Sequence, residues 1–476
     1  MDDDLPTKLA GFKGKGYVIA PAGYGKTHLI ATAVKASPNR QLILTHTYAG
    51  VNSIKAKMQA LSVPASKYKV DTIASWALRL CSAYPASSRW KSPYPQNKEW
   101  TALYGACTAL LARPFVRRLV QCSYSGLYVD EYQDCSNQQH MLVSALAALL
   151  PCRLLGDPMQ AIFDFSDQPV DWERQIYPEY QLLGKLTTPH RWQLAGAPDL
   201  AGWLDNAGQE LRAGRKVSLA GPLPKEVHHV NIDLTDFSNP RRLNLFYSFL
   251  EADDSVIAIH SGDKKSKNKC HKLAQALGGK FSSIEEVEAK DLFGFIKKLD
   301  AARTASDRLL LVINFAKKCC NGIGDVLSSA TKRGDHAKAT KATKYPELLV
   351  AANQYLVEAS SSNLAAFFVV LQRNPQTSTY RRDLLNRFMR VLRVHEDNPM
   401  LSLTECAHRY QQDFRHSGRP IRHNKLIGTT LLVKGLEYHH AIILEAESMS
   451  PKELYVALTR GAKTITIVSL ASVLPN

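Results

Sequence analysis

Residues 17–30 read YVIAPAGYGKTHLI, and this stretch constrains the fold of the chain more than any other. An apolar run suited to a buried strand meets a glycine-bearing turn, and apolar residues at helical spacing follow. Gly23 and Gly25 allow the backbone to curl so that successive N–H groups converge at a helix start, where the helix dipole favours an anion. Ala22, Tyr24 and His28 are expected to line a nucleotide bound by such a loop. Lys26 reaches its β- and γ-phosphates, and Thr27 ligates magnesium. The strict pattern GxxxxGK[ST] is missed at one position, because Ala20 stands where its first glycine belongs.

A second run, SGLYVDEYQD, supplies the complementary chemistry. The strand-like LYV delivers Asp130 and Glu131 at its carboxyl end, which is where ligands sit in open α/β sheets. Asp130 is expected to hold magnesium through water, and Glu131 to polarise an attacking water as general base. An acidic pair after a strand is more often a solvated one. Downstream of a phosphate loop it reads as hydrolytic.

Charge comes next. The 476 residues hold 60 Lys and Arg against 43 Asp and Glu, a net +17, with a pI near 9.4. Residues 261–425 carry +13 of that excess. Solvated helix faces would account for it; so would a surface that tracks a nucleic-acid backbone, a reading that depends on the neutral parts of the chain also handling nucleic acid. Nine cysteines without a CxxC pair argue against both a disulfide scaffold and a zinc ribbon. The acidic start MDDDLPTKLAG lacks the features of a signal peptide, and no run approaches ~18 apolar residues. The expectation is a cytoplasmic protein with free thiols and no membrane partner.

At DEYQD the pattern becomes specific enough to name a likeness. The chain resembles the UvrD-like branch of superfamily-1 DNA helicases, with six or more segments in the same order. APAGYGKT is similar to that family's AGAGSGKT loop, which also accommodates Ala20. LILTHTYAGVNSIKAKM and VDTIASWALRL resemble its early motifs, LLGDPMQAIFDF its GDxxQxIYxF segment, and LTTPHRW its NYRS segment. GTTLLVKGLEYHHAIIL and ELYVALTRGAK are similar to its last two motifs.

The resemblance implies roles residue by residue. Gln160 would sense the γ-phosphate and couple it to DNA. Arg191 and Arg460 would act as arginine fingers, since a planar guanidinium stabilises the charge that develops on phosphoryl oxygens. Glu437 would contact the nucleotide sugar, with Lys434 and Gly435 in the same motif. His46, Thr47, Thr72, Trp76, Phe163 and Phe165 match DNA-contact positions. Phe163 and Phe165 alternate so as to stack on bases, an interaction worth roughly 1–3 kcal/mol per base. Trp76 reads equally as core. The chain departs from the family in lacking Gln within residues 1–16, where an adenine-reading glutamine is expected, and in carrying Pro189, His190 and Leu431 where the family has asparagine, tyrosine and histidine.

The fold class implied is α/β, with two RecA-like P-loop NTPase cores carrying mostly helical insertions. The expected layout is a first core over 1–200 with a small helical insertion at about 75–123, a second core over 201–290 and 426–476, and a helical, basic insertion over 291–425. ATP and magnesium are the implied cofactors, and single-stranded and tailed duplex DNA the implied partners. The implied activity is three-prime to five-prime translocation with unwinding, in DNA repair or anti-phage defence. Two alternatives stand beside it: a non-unwinding DNA-stimulated ATPase serving as sensor or regulatory subunit of a nuclease complex, and a nucleic-acid scaffold with a dead site. The size is similar to that of helicase subunits of Gabija-type anti-phage systems, which work with a nuclease partner.

Overall fold

The computed structural model describes residues 4–93, 95, 98–162, 168–234, 241–250, 253–286, 288–417 and 423–476. The chain divides into two compact units. One comprises 1–217, 221–226 and 450–463, and the other 218–220, 227–449 and 464–476. The expected second core included all of 426–476, whereas residues 450–463 cluster with the first unit.

The first unit is built on six strands: β1 (Lys15–Ile19), β2 (Gln41–Thr45), β3 (Tyr68–Thr72), β4 (Gly126–Val129), β5 (Cys152–Gly156) and β6 (Gln181–Lys185). They lie in the order β3-β2-β4-β5-β1-β6, and every pair is parallel. Parallel strands covered on both faces must be apolar almost throughout, and β2, β4 and β5 are buried along their whole length. The parallel arrangement has one consequence for chemistry. All six carboxyl ends emerge on one edge, so the segments after β1, β4, β5 and β6 are brought together there.

Within 75–123 the helices Ile73–Ala83, Glu99–Leu111 and Pro114–Ser123 form. Their apolar residues Trp76, Leu103, Cys107, Leu110, Val116 and Val120 share one core with Leu42, Leu44, Leu127 and Val129 of the strands. This segment is therefore part of the first unit's packing.

The second unit holds β7 (Val227–Val230), β8 (Val256–His260), β9 (Ser282–Ser283), β10 (Lys425–Thr429), β11 (Tyr438–Ile443) and the end of β12 (Gly461–Val468). The order is β9-β10-β8-β11-β12-β7, with parallel registers for β9/β10, β10/β8, β11/β8 and β12/β7. Between β9 and β10 lies a run of helices, including Lys290–Ala301, Ala305–Cys319, Pro346–Val357, Ser361–Arg373, Arg382–Asp397 and Leu403–Ser417. They enclose a core of their own around Phe315, Phe367, Phe368 and Phe388. Phe295 stacks on Phe315 at 4.1 Å between ring centroids.

Two ionic groups hold this unit. Arg381, just before the helix Arg382–Asp397, grips Glu285 with two bonds of 2.7 Å and Asp291 with one of 2.6 Å, which ties the helical run to the chain leaving β9. Glu445, just after β11, adopts a left-handed backbone with φ of 50°. Its carboxylate accepts from Lys269 at 2.6 Å and lies 3.3 Å from Nδ1 of His260. The bonds to His260 and Lys269 outweigh burial and depress the Glu445 carboxyl to about 2. All nine cysteines are free thiols, and only Cys122 is exposed. Among the described residues no helix is long and apolar enough to cross a membrane.

Two outcomes follow from these groups. Replacing Arg381 with Leu strands the buried Glu285 without its counter-ion, and should cost about 3–5 kcal/mol in denaturant unfolding. Glu445→Gln should cost roughly 2 kcal/mol near pH 7, less than the full shift allows because the site is partly solvated. A depressed carboxyl stabilises above its unfolded value near 4.5 and loses that contribution as pH falls toward 2, so the difference between Glu445→Gln and wild type should shrink across that window.

Candidate functional site

The phosphate loop is built as its sequence requires. Ala20 N–H donates to Gly156 at 2.9 Å, so the chain leaves β1 alongside the end of β5. Gly23 and Gly25 take φ of 78° and 85°, and Gly25 caps the helix Lys26–Ala36 in a left-handed conformation with no side-chain cap. Both glycines are also needed for space. A Cβ on Gly23 would lie 2.9 Å from the Trp192 ring, and one on Gly25 would lie 3.0 Å from the His190 ring. The segment His190–Trp192 thus sits directly on the loop, and Arg191 N–H donates to Gly23 O at 3.0 Å.

Lys26 Nζ lies 2.7 Å from Glu131 and 3.5 Å from Asp130. Burial opposes the ammonium charge, but the two carboxylates outweigh it and hold Lys26 above its usual range. Burial dominates at Asp130, whose carboxyl rises to about 6 despite the nearby Lys26. Glu131 takes φ of 55° as the chain turns out of β4. A left-handed glutamate is a strained choice, and here it aims the carboxylate at Lys26. Glu445 repeats the device after β11 in the second unit.

The loop after β5 adds a buried node that sequence reasoning did not single out. Asp157 is fully buried. Its Oδ2 accepts from Gln160 Nε2 at 3.1 Å and from the Tyr455 hydroxyl at 2.8 Å. Asp157 N–H donates to Gln133 Oε1 at 3.0 Å, and Gln133 Nε2 donates to Glu131 Oε2 at 2.6 Å. The two arginines meet at Thr459. Arg191 Nη1 donates to its carbonyl at 2.6 Å, and Arg460 Nη2 to its hydroxyl at 2.9 Å. Lys26, Asp130, Glu131, Gln160, Arg191 and Arg460 therefore belong to one unit. The signal for Asp157 was present in GDPMQ and for Tyr455 in ELYVALTR, but their partnership spans 298 positions.

Tyr24 is buried beside Trp192 in an edge contact at 6.1 Å, and burial together with Asp205 raises its phenol to about 12. Burial and then Lys57 and His190 lower the His28 imidazole. Thr47 caps the helix Tyr48–Ala60, and Thr72 the helix Ile73–Ala83, each by accepting a backbone N–H. Trp76 is buried in the core shared with the first sheet. Nε2 of His46 lies 3.5 Å from Cys135 Sγ. Phe163 and Phe165 fall outside the described residues. Lys434, Gly435 and Glu437 lie between β10 and β11 of the second unit.

The donor set suits a magnesium nucleotide. A hard cation takes hydroxyl and carboxylate oxygens, which Thr27 in the first helical turn and Asp130 would supply. The uncapped helix start and Lys26 would meet the phosphates.

Residues 96–171 match the family model of the UvrD/REP helicase N-terminal domain. No curated protein matches the chain. Among solved structures, arterivirus nonstructural protein 10, a helicase in complex with DNA, aligns at 13% identity over 54% of this chain and 50% of its own, with a TM-score of 0.27. The Pif1 helicase from Candida albicans aligns at 14% identity over 50% of this chain and 52% of its own, also at 0.27. The aligned region thus spans about half the length of those helicases.

Gly25→Ala should lose about 1–2 kcal/mol of stability through its left-handed backbone alone, and nucleotide affinity with it, since the new methyl meets His190. Gly202→Ala, in a helix with nothing within 4 Å of the new carbon, should leave both unchanged or slightly raise stability in the same thermal and nucleotide-binding assays.

Proposed function

We propose that this chain, whose residues 96–171 match the UvrD/REP helicase N-terminal domain, is a UvrD-like superfamily-1 helicase and an ATP-driven motor on single-stranded DNA. The observation that carries the reading is the first unit's constellation, in which Lys26 pairs with Asp130 and Glu131 while Arg191 and Arg460 converge on Thr459.

In this reading the triphosphate takes over Lys26 from Glu131. Lys26 then neutralises the β- and γ-phosphates, and Glu131, released, accepts the proton of the attacking water. Thr27 and Asp130 would hold magnesium, which when bound would supply charge neutralisation on the phosphate oxygens. Arg191 and Arg460 stabilise the charge that builds on the transferred group, and Gln160 reports the γ-phosphate to the DNA contacts. Glu437, with Lys434 and Gly435, contacts the nucleotide sugar. His46, Thr47, Thr72, Trp76, Phe163 and Phe165 hold the single strand. The basic surface of 261–425 tracks its backbone; Lys332, Lys338, Lys341 and Lys344 are all exposed there. Movement runs three-prime to five-prime and separates duplex, in repair or in defence beside a nuclease in the cytoplasm.

One observation favours a second reading. The helices of 75–123 share the first sheet's core, and a protein without a separate wedge there would hydrolyse ATP on DNA as a sensor without unwinding. A fluorescent duplex with a single-stranded tail separates the two readings, because a sensor leaves the strands paired while consuming ATP.

DNA-stimulated ATP hydrolysis is the expected activity, and Lys26→Ala should lower it more than 100-fold, on the order of losing a positioned charge at the transition state. Equal rates in wild type and Lys26→Ala would refute the reading. Changing Lys332, Lys338, Lys341 and Lys344 to Gln should weaken DNA binding and flatten its dependence on salt, by about 0.7 in the log–log slope for each phosphate that is no longer neutralised.

A further inference from the structure

The Tyr455 hydroxyl has no part in the chemistry just described, yet it occupies the centre of the site's hydrogen-bond network. Tyr455 is 5% exposed and sits on the helix Pro451–Leu458. Gly208 makes room for its ring, since a Cβ there would come within 3.0 Å of Cε2. Burial and the neighbouring Asp157 hold its phenol well above the usual range, so the hydroxyl remains a donor.

Three series of bonds meet at Tyr455 and Asp157. Toward the acidic pair, Asp157 N–H reaches Gln133, which donates to Glu131. Toward the γ-phosphate reporter, Oδ2 of Asp157 accepts from Gln160 as well as from Tyr455, while Oδ1 accepts from Met159 N–H at 3.2 Å and lies 4.0 Å from Arg212. Toward the arginines, the Tyr455 carbonyl accepts from the Thr459 hydroxyl at 3.0 Å, and Thr459 in turn is held by Arg191 and Arg460. Two donors on one buried oxygen compete for the same charge. A change at Gln160 is therefore felt by Tyr455 and carried to the turn that holds both arginines.

We infer that Tyr455 is a positioning residue that couples Gln160 to Arg191 and Arg460, so that DNA engagement raises the rate of hydrolysis through the Tyr455–Asp157 hydrogen bond. The inference rests on the ATP-driven reading above. It concerns turnover rather than nucleotide affinity, because the hydrogen bonds of Tyr455 run to Asp157 and to Thr459, and through Thr459 to the arginines.

The test is steady-state hydrolysis by the full chain with and without single-stranded oligonucleotide. Tyr455→Phe keeps the ring and removes one hydroxyl. Its kcat at saturating DNA should fall about tenfold and the ratio of stimulated to basal rate should drop, while KM for ATP stays within twofold. In a Gln160→Ala background the same substitution should have almost no further effect, because the two side chains act through one oxygen. If Phe at 455 prevents folding, Asp157→Asn, which keeps the size of the group and one acceptor, should lower the same ratio. A Tyr455→Phe enzyme stimulated as well as wild type, or an effect that simply adds to that of Gln160→Ala, would overturn the inference alone. A wild-type protein that hydrolyses ATP without responding to DNA would overturn both the inference and the reading beneath it.

Discussion

The ion pair between Lys26 and Glu131, with Asp130 alongside, is the interaction on which the first unit's site depends. An ammonium ion removed from water is costly unless an opposite charge compensates it. Here two carboxylates do so, and burial raises one of them, Asp130, to about 6. In the proposed cycle a triphosphate would draw Lys26 away from these carboxylates and leave them to a cation and a water molecule, an exchange for which a buried cluster of opposed charges is suited.

Geometry makes that pairing possible, and it comes from the parallel sheet. Strands that run the same way deliver their following loops to one edge. The phosphate loop after β1, the acidic turn after β4, Asp157 after β5 and Arg191 after β6 meet there although they span more than 150 residues of sequence. The left-handed turn at Glu131 completes the arrangement, and its counterpart at Glu445 shows the same solution used in the second unit to hold His260 and Lys269.

Much of this was legible beforehand. The strand, loop and helix of residues 17–30 follow from local rules, because only glycine takes the left-handed angles at positions 23 and 25 without strain. Asp130 and Glu131 were visible as an acidic pair at a strand end. Helical character was expected over 291–425 from its apolar spacing, and helices run from Lys290 to Ser417, although the Arg381 clamp that ties them to Glu285 and Asp291 was not visible. Thr47 and Thr72, expected as DNA contacts, each also accept a backbone N–H as helix caps, a local role that sequence likeness does not reveal.

The sequence by itself determined segments suited to one kind of chemistry: a phosphate loop, an acidic strand end, arginines in LTTPHRW and ELYVALTRGAK, and strands apolar enough to be covered on both faces. These are properties of short segments, set by glycine conformations, charge and residue spacing. Tertiary structure alone decided which segments become neighbours. It placed residues 450–463 with the first unit, brought Tyr455 to Asp157 across 298 positions, and made one buried carboxylate oxygen serve both Tyr455 and Gln160. The physical reason is that a buried acceptor must be satisfied by whatever donor the packing delivers, and that donor is chosen by the way parallel strands and their covering helices stack, which no single segment encodes.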